Sequence, residues 1–385
     1  MAGSRDERTT LQKRADELKV DHSGPHAAAW LHDLAPYDPV SSLVKIWDRP
    51  TQRALKLDWN ESTIPPSPRV YQAIVSFLSH SNHLNWYPEL GSRSLADTLS
   101  DYVSLSPEQI LVTNGSDDAL ELICKTYLAP GDRVLVPVPT YTHFLVYVQA
   151  RDAKVVPYLP DDIFDPDFAG LHEALQEPTK LVYLVNPNNP TGVTYTAEGV
   201  AELLASFPET LFVLDEAYYE FYGESTVELV SHYPNVVVTR TFSKCFGIAG
   251  LRMGYLCAAE PIQTELKKLF NPKSVNRLGQ IAATACLSDL PYYEEYVREV
   301  SAAKEVLKEA MGRRGMELIS TPANFVLLRV PAPQEFCSLL EAEGVYVRDR
   351  STLPRLENFI RISVPNMTQT YDLITRLDRV LDRLG

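Results

Sequence analysis

The chain has 385 residues, of which 45% are hydrophobic and 22% charged, proportions typical of a folded globular protein with a large core. Its net charge of -14, from 36 basic and 50 acidic side chains, argues against nucleic acid or an anionic membrane surface as a partner, because both need a broad positive surface. An anionic ligand must therefore be held locally, by a few arginines or amide groups.

Membrane, disulfide and metal-binding classes are also disfavoured. No apolar run approaches the roughly 20 residues of a membrane span, and the polar stretch from Met1 to Lys19 lacks the apolar core of a signal peptide. We therefore expect a cytoplasmic protein. The 5 cysteines contain no Cys-x-x-Cys pair and the 8 histidines no His-Glu-x-x-His spacing, so we predict neither a disulfide framework nor a metal site.

In chain order, the first predicted segment is an N-terminal arm, residues 1–36, with one helical pattern at Arg5 to Lys19. A large domain is predicted for residues 37–275. It opens with a short alternating strand, Leu55 to Glu61, which Pro65 and Pro66 stop. Further on, the loop Asn85 to Gly91 exposes Trp86 and Tyr87 beside a proline, although Tyr87 could equally pack on its own domain.

From Gln109 onward, short apolar strands alternate with helical patterns such as Asp117 to Leu128 and Ala197 to Phe207. This alternation predicts an α/β fold in which a mostly parallel seven-stranded sheet lies between helices. Ligands of such sheets bind at the carboxyl ends of the strands. The predicted strands are Ile110–Thr113, Arg133–Val138, Lys154–Tyr158, Leu181–Val185, Leu211–Leu214, Val236–Thr239 and Arg252–Cys257.

A smaller α+β domain is predicted for residues 276–385. It begins with one long amphipathic helix, Pro291 to Gly315. The predicted elements that follow are the strand Asn324–Arg329, the helix Gln334–Glu343, the strands Val345–Arg348 and Phe359–Ser363, and the helix Thr368–Leu384.

Polar residues follow the predicted strands of the large domain. The run Thr113 to Asp118 places Gly115 and Ser116 at a helix start, which suits a phosphate but equally suits a plain N-cap. After the next strand, the ring of Tyr141 either stacks on a planar ligand or fills a gap. The turn-rich run Asn186-Pro-Asn-Asn-Pro-Thr-Gly192 is either a rigid loop or a device that fixes an amide donor.

An acid and an amine occupy two further strand ends. Asp215 closes an apolar strand and needs a partner there, such as a protonated pyridine nitrogen, or else it is a satisfied core carboxylate. Lys244 follows Thr241 and Ser243, with Arg252 eight residues on. A lone Ser-Lys pair is usually exposed, but an amine among hydroxyls and an arginine suits a pyridoxal phosphate pocket, where lysine forms a Schiff base with the cofactor.

Taken together, the motifs resemble those of the fold-type-I pyridoxal-phosphate-dependent aminotransferases, most closely the histidinol-phosphate aminotransferase branch. The resemblance covers residues from about Tyr37 to the C-terminus. The motifs that carry it are Thr113-Asn-Gly-Ser-Asp117, Pro139-Thr-Tyr141, Asn186-Pro-Asn-Asn-Pro-Thr-Gly192, Asp215-Glu-Ala-Tyr218 and Arg240-Thr-Phe-Ser-Lys-Cys-Phe-Gly-Ile-Ala-Gly-Leu-Arg252.

The resemblance implies a role for each matched residue. Lys244 would bind the cofactor covalently, Asp215 would hold its pyridine nitrogen, Asn189 and Tyr218 would contact its ring hydroxyl, and Tyr141 would stack on its ring. The residues implied around the phosphate are Gly115, Ser116, Asp117, Thr241, Ser243, Arg252 and, from a neighbouring subunit, Tyr87. The implied substrate residues are Tyr37, Asn324, Arg348 and Arg361.

The implied activity is a ping-pong transfer of an amino group between an amino acid or a phosphorylated amine and a 2-oxo acid, by a homodimer with shared active sites. The substrate side departs from the family at Ser62-Thr-Ile-Pro65 and at Pro365, and Cys245 replaces the usual alanine. Relatives with this fold also decarboxylate phosphorylated amino acids, cyclise guanidino amino acids or eliminate β-substituents. The sequence leaves these alternatives open, because the site and not the fold decides the reaction.

Overall fold

The computed structural model describes residues 42–48, 54–81 and 83–384, together with Leu31. The chain divides into two units, residues 1–37 and 38–385, and every element described below belongs to the second. The predicted helix at Arg5 to Lys19 and the candidate Tyr37 lie outside the described residues. The domain boundary at residues 275 and 276 stays a prediction.

The strands are numbered in chain order. They are β1 (Leu55–Lys56), β2 (Ile110–Thr113), β3 (Arg133–Pro137), β4 (Lys154–Tyr158), β5 (Leu181–Val185), β6 (Leu211–Asp215), β7 (Val236–Thr241), β8 (Gly254–Ala258), β9 (Leu318–Ser320), β10 (Phe325–Arg329), β11 (Val345–Tyr346), β12 (Arg348–Asp349) and β13 (Phe359–Ser363).

The α-helices are numbered in the same way. They are α1 (Leu43–Trp47), α2 (Pro68–His80), α3 (Arg93–Val103), α4 (Ser116–Tyr127), α5 (His143–Gln149), α6 (Phe168–Ala174), α7 (Ala197–Ser206), α8 (Tyr219–Tyr222), α9 (Glu260–Leu269), α10 (Arg277–Leu287), α11 (Leu290–Arg313), α12 (Pro333–Ala342) and α13 (Met367–Leu384).

A seven-stranded sheet in the order β2-β8-β7-β6-β5-β3-β4 confirms the predicted α/β architecture. Its strands are parallel except β8, which runs antiparallel to both β2 and β7. The predicted strand at Arg252 to Cys257 begins later, at Gly254, because Arg252 adopts a left-handed conformation with φ of +53°. Arg252 is therefore a turn residue, which frees its side chain to point away from the strand ladder.

Both faces of this sheet are covered, which explains why its central strands are continuous apolar runs. Every residue of β5 and β6 is buried. Alternate residues along a strand enter different core clusters: Leu184 and Leu214 lie in one, and Tyr183 and Val213 in the other. Asp215 is the last residue of β6, a strand in which every residue is buried. Its carboxylate therefore lies at the end of a fully buried strand.

A four-stranded antiparallel sheet in the order β12-β13-β10-β9 lies in the C-terminal region. The single strand predicted at Val345 to Arg348 is wrong, since Val347 separates β11 from β12. β11 instead pairs in parallel with β1, and β12 joins the four-stranded sheet. This arrangement ties residues 55–57 to the C-terminal strands, because Ser363 also donates its backbone N–H to the Leu57 carbonyl at 3.0 Å.

Candidate active site

The carboxyl ends of β2, β5, β6 and β7 meet at one edge of the seven-stranded sheet. Val185 lies opposite Asp215, and Asp215 lies opposite Thr239. Thr113 and Thr241 both lie level with Gly254 on β8. Since these four strands run in one direction, the residues that follow them are carried to a common edge. Four residues that the sequence predicts to belong to the site lie at or after these strand ends: Gly115, Asn189, Asp215 and Lys244.

Asp215 is a carboxylate that is 4% exposed. Tyr183 donates a hydrogen bond from its hydroxyl to Asp215 Oδ2 at 2.8 Å. Asp215 Oδ1 is buried and has no hydrogen-bond partner among the described residues. Burial raises the pKa of this carboxyl to about 6, and the hydrogen bond from Tyr183 opposes the rise. A buried acceptor without a donor is costly, so Oδ1 is suited to an N–H group of a ligand.

Gly115 and Arg252 are packed together at the start of α4. Gly115 has φ of +89°, a conformation that side chains disfavour. A Cβ on Gly115 would lie only 2.7 Å from Arg252 Nη2, so glycine is required for this close approach. Ser116 is the first residue of α4 and not its N-cap, which is Gly115. The free amides at this helix start and the guanidinium of Arg252 form a site suited to a phosphate.

Asp117 joins two of the predicted cofactor residues. Arg252 donates from Nη2 to Asp117 Oδ2 at 3.1 Å, and Tyr141 donates from its hydroxyl to Asp117 Oδ1 at 2.9 Å. The arginine is exposed and the tyrosine is half-buried, so neither side chain is fixed by packing alone. The hydrogen bonds to the shared Asp117 carboxylate hold both side chains in place. Tyr141 is thus oriented from its hydroxyl end, and its ring centre lies 6.3 Å from that of His143.

Thr241 is the last residue of β7, and the turn after it carries Ser243 and Lys244. Thr241 accepts a hydrogen bond at Oγ1 from the Ser243 backbone N–H at 3.1 Å, and both residues are buried. Lys244 is half-buried and donates from Nζ to the Trp59 carbonyl at 2.9 Å. Its Nζ also lies 5.8 Å from the centre of the Tyr218 ring. The hydrogen bond between Ser243 and Thr241 fixes the backbone of this turn, so the Lys244 side chain extends from a rigid segment.

Tyr218 is held by a network centred on Asn60. Asn60 donates from Nδ2 to the Tyr218 hydroxyl at 3.1 Å, and Asn324 donates from Nδ2 to the Asn60 carbonyl at 3.0 Å. Ser363 in turn donates from Oγ to Asn60 Oδ1 at 3.0 Å. Asn60 therefore links Tyr218, which follows β6, to Asn324 and Ser363 in the C-terminal region. Asn324 is connected to Tyr218 through Asn60.

Arg361 and Asn189 are in direct contact. Arg361, 3% exposed, donates from Nη1 to Asn189 Oδ1 at 2.6 Å and from Nη2 to the Asp58 carbonyl at 2.6 Å. The neighbouring Asn188 is used within its own loop, donating from Nδ2 to the Pro139 carbonyl at 2.9 Å. Of the two asparagines between the prolines, Asn189 is the one that contacts another predicted site residue among those that the structure describes.

Two other candidates lie apart from this cluster or at its margin. Arg348 is half-buried and lies opposite Arg361 in the pairing of β12 with β13. Tyr87 is 79% exposed, and its ring lies 5.1 Å from Lys273 Nζ. A contact between Tyr87 and the cluster therefore requires a second chain or a different arrangement of this loop.

Sequence reasoning missed Tyr183 and Asn60 as residues of the site. Tyr183 is one tyrosine in an apolar strand, a pattern that indicates core packing. Asn60 carried a stronger signal, because it sits in the polar pair Asn60-Glu61 at the end of a strand. Its φ of +54° is tolerated by asparagine more readily than by most residues.

The geometry fits pyridoxal phosphate. Asp215 Oδ1 offers a buried acceptor for the pyridine N–H, Lys244 offers an amine for the aldehyde, and the start of α4 with Arg252 offers a phosphate site. Within the described ranges, no helix is long and apolar enough to cross a membrane. The same residues contain no group of three or more His, Cys, Asp or Glu side chains placed to hold a metal ion.

Comparison with known proteins gives consistent matches. The family model of aminotransferase class I and II matches residues 52–378. A dihydroxyacetone phosphate transaminase of Campylobacter jejuni is 38% identical over 361 residues, which cover 92% of this chain and 97% of that protein. A histidinol-phosphate aminotransferase of Roseiflexus castenholzii is 35% identical over 358 residues, which cover 90% and 96%.

Among solved structures, a histidinol-phosphate aminotransferase from Sinorhizobium meliloti in complex with pyridoxal-5'-phosphate superimposes with a TM-score of 0.85. It is 26% identical in sequence, and the match covers 95% of this chain and 100% of that one. The cofactor of that complex is the one that the geometry of Asp215, Lys244 and Arg252 fits.

Proposed function

This chain belongs to the aminotransferase class I and II family, whose members use pyridoxal phosphate, and on that premise we propose that it transfers an amino group from a small phosphate-bearing amine to a 2-oxo acid. The amine belongs to the same chemical class as histidinol phosphate or a phosphorylated amino alcohol. The reaction runs in two halves, in which the amine donates its amino group and leaves before the 2-oxo acid accepts it.

The observation that carries the phosphate assignment is the pairing of Arg348 with Arg361. The two residues lie directly opposite each other on the antiparallel strands β12 and β13, so their side chains leave the same face of the sheet. Two arginines on one face of a sheet concentrate positive charge there, which favours a ligand with more than one negative charge. A phosphate monoester carries about two charges at neutral pH, whereas a carboxylate carries one, and arginine binds either group in a bidentate manner.

The relatives support this choice. The Campylobacter jejuni relative is named for dihydroxyacetone phosphate, and the Roseiflexus castenholzii relative for histidinol phosphate. Both names specify a phosphate ester on a short carbon chain, although the rest of the molecule differs. Phosphate recognition is therefore the property that we carry over, and the remainder of the substrate is left to the experiment below.

When bound, pyridoxal phosphate supplies an aldehyde that takes up the amino group and a protonated ring that accepts electrons from the substrate α-carbon. Asp215 Oδ1, which is buried and without a hydrogen-bond partner among the described residues, would accept a hydrogen bond from the ring nitrogen and keep it protonated. Lys244 Nζ, which donates to the Trp59 carbonyl at 2.9 Å, would take the proton from the substrate α-carbon and deliver it to the aldehyde-derived carbon of the cofactor. Arg252 and the amides at the start of α4 would hold the phosphate of the cofactor.

We further propose that the active protein is a homodimer. Helix α2 and the segment after it expose several large apolar side chains, a feature that marks a protein interface. These residues are Tyr71, Val75, Leu84, Trp86, Tyr87 and Leu90. A second copy of the chain would cover them, and the partner's Tyr87 would then reach the phosphate site, as the family resemblance implies.

The experiment compares matched pairs of amines with and without phosphate. Purified holoenzyme is mixed with histidinol phosphate, histidinol, the phosphate monoester of 2-amino-1,3-propanediol, and 2-amino-1,3-propanediol itself. The cofactor absorbance is followed without an acceptor. At least one phosphorylated amine is expected to change the absorbance at a concentration roughly 100-fold or more below that of its unphosphorylated partner, since two arginine contacts to an anion are lost.

Equal responses within each pair would contradict phosphate recognition while leaving the family assignment intact. A phosphorylated amino acid is tested in the same way, and release of carbon dioxide from it without formation of a keto product would identify a decarboxylase instead. Ammonia release would identify an eliminating enzyme. Either of the last two outcomes would overturn the proposed amino transfer.

A further inference from the structure

Tyr183 is a fully buried tyrosine in the centre of β5, and its hydroxyl contacts the carboxylate that the cofactor requires. Its exposure is 0%, and it donates from Oη to Asp215 Oδ2 at 2.8 Å. β5 and β6 are adjacent parallel strands in which Tyr183 pairs with Val213 and Val185 with Asp215. The two side chains therefore lie on the same face of the sheet, as diagonal neighbours.

The ring of Tyr183 has little freedom to move. It stacks on Phe144 of α5 with the ring centres 3.8 Å apart and the planes 17° from parallel. Phe144 is itself fully buried. Burial, followed by the charge of Asp215, raises the pKa of Tyr183 well above its ordinary value, so the hydroxyl keeps its proton and stays a donor.

A hydrogen bond to one oxygen of a carboxylate restrains rotation of the whole planar group, and so restrains the direction of the other oxygen. With Oδ2 held by Tyr183, the free oxygen Oδ1 has a defined direction, and it has no hydrogen-bond partner in the described part of the chain. The tyrosine also acts on the charge of Asp215, because burial favours the protonated carboxyl and a donated hydrogen bond favours the ionised one. A neutral carboxyl would no longer stabilise a protonated pyridine.

We propose that Tyr183 is a positioning residue that holds Asp215 ionised and aims its Oδ1 at the pyridine nitrogen of the cofactor, so that this nitrogen stays protonated. The inference rests on the role proposed above for Asp215 and goes beyond it. Neither the motifs of the sequence nor the predicted site residues include Tyr183. The alternative is that Tyr183 only fills the core against Phe144, in which case its hydroxyl affects stability and nothing else.

Tyr183→Phe separates the two roles, because it keeps the ring and the stack on Phe144 and removes only the hydroxyl. Tyr293→Phe is the matched control. Tyr293 is also buried, donates to Cys286 Sγ at 3.3 Å and accepts from the Ser67 backbone N–H at 3.0 Å, away from the cluster around Asp215. Asp215→Asn serves as the reference for complete loss of the carboxylate.

The readout is the nitrogen NMR signal of pyridoxal phosphate labelled with ¹⁵N in its ring, bound to each variant. Wild type and Tyr293→Phe are expected to show the protonated nitrogen. Asp215→Asn is expected to show the unprotonated one, and Tyr183→Phe is expected to shift towards it. Loss of one hydrogen bond to a charged group should also weaken cofactor binding roughly 10-fold in Tyr183→Phe, with the KM of the amine nearly unchanged.

A wild-type nitrogen signal in Tyr183→Phe, whatever its thermal stability, would overturn the inference and leave Tyr183 as core packing. A wild-type signal in Asp215→Asn would instead overturn the role of Asp215 itself, so the two failures are distinguishable. Should Tyr183→Phe not fold, Phe144→Leu keeps the hydroxyl and loosens the ring. The inference predicts a smaller shift in the same direction for that variant, and an unchanged signal would count against it.

Discussion

Arg361 donates a hydrogen bond from Nη1 to Asn189 Oδ1 at 2.6 Å, across 172 residues of sequence. The same guanidinium reaches the Asp58 carbonyl through Nη2, so one side chain connects three distant segments. Asn189 comes from the loop after β5, and Arg361 from the centre of β13. Contact between them places the proposed substrate arginine next to a residue that the family resemblance assigns to the cofactor ring.

Replacing Arg361 with lysine should weaken substrate binding and spare the cofactor. A lysine ammonium lacks the planar fork that reaches Asn189 and Asp58 together. We expect the KM of the phosphorylated amine to rise roughly 10-fold to 100-fold in Arg361→Lys, with unchanged cofactor affinity. Arg329→Lys, on an exposed arginine of β10 paired with Glu317, is the control and should keep the wild-type KM. An unchanged KM in Arg361→Lys would count against its role.

Replacing Gly115 with alanine should disrupt the phosphate site. The new Cβ would lie 2.7 Å from Arg252 Nη2 and would force the guanidinium to move. We expect the dissociation constant of pyridoxal phosphate to rise at least roughly 10-fold, as for a lost contact between an arginine and an anion. Gly131→Ala is a matched control, since Gly131 has a similar φ of +85° and no atom within 4 Å of the added Cβ. Equal cofactor binding by the two variants would contradict the assignment.

Lys304 of α11 should make stability depend on pH in the alkaline range. It is 6% exposed, and burial lowers the pKa of its amine from 10.5 to about 8. Between these values the unfolded chain binds more protons at this position than the folded chain does, so this group makes stability rise with pH. The free energy of unfolding of the wild type, relative to Lys304→Met, should increase by about 3 kcal/mol from neutral pH to the top of that window.

Denaturant titrations at several pH values measure this difference. Lys268→Met, on an exposed lysine paired with Glu265, is the control for replacing a helical lysine by methionine. A flat difference for Lys304→Met would mean that its amine titrates normally in the folded state.

A homodimer with shared sites predicts complementation between two inactive variants. Tyr87→Ala should lose affinity for the cofactor phosphate, and Lys244→Ala should lose the reactive amine. When the two proteins are mixed and allowed to exchange subunits, each mixed dimer contains one site with both residues intact. Up to about a quarter of the wild-type activity should return if mixing is statistical, since half of the dimers are mixed and each has one working site of two. No recovery in verified mixed dimers would exclude a shared site.

The sequence predicts the architecture well where a short apolar run ends in polar residues. β2, β4, β5 and β13 begin and end at the predicted residues. Asp215 and Lys244 were placed at strand ends because a carboxylate and an amine interrupt such runs. The break at Val347 was not predicted, because local pattern does not show which strand a neighbour will pair with. The pairing of β1 with β11 joins residues about 290 positions apart, and only tertiary contacts determine it.

Side-chain partners were harder to predict than strand ends. Tyr183 has no local signal, since a tyrosine within an apolar strand indicates core packing, and its partner Asp215 lies 32 residues later. Arg252 was expected inside a strand, whereas its left-handed backbone places it in a turn beside Gly115. The candidate reactive residues could therefore be identified from the sequence. The contacts that orient their side chains could be identified only from the fold.

The covalent attachment of the cofactor tests the central claim most directly. The holoenzyme is reduced with borohydride and digested, and the peptides are analysed by mass spectrometry. The account predicts that the long-wavelength absorbance disappears and that one pyridoxyl phosphate group is found on Lys244. Lys244→Ala should carry no such group. Attachment to another lysine, or wild-type protein that never takes up the cofactor, would contradict the account.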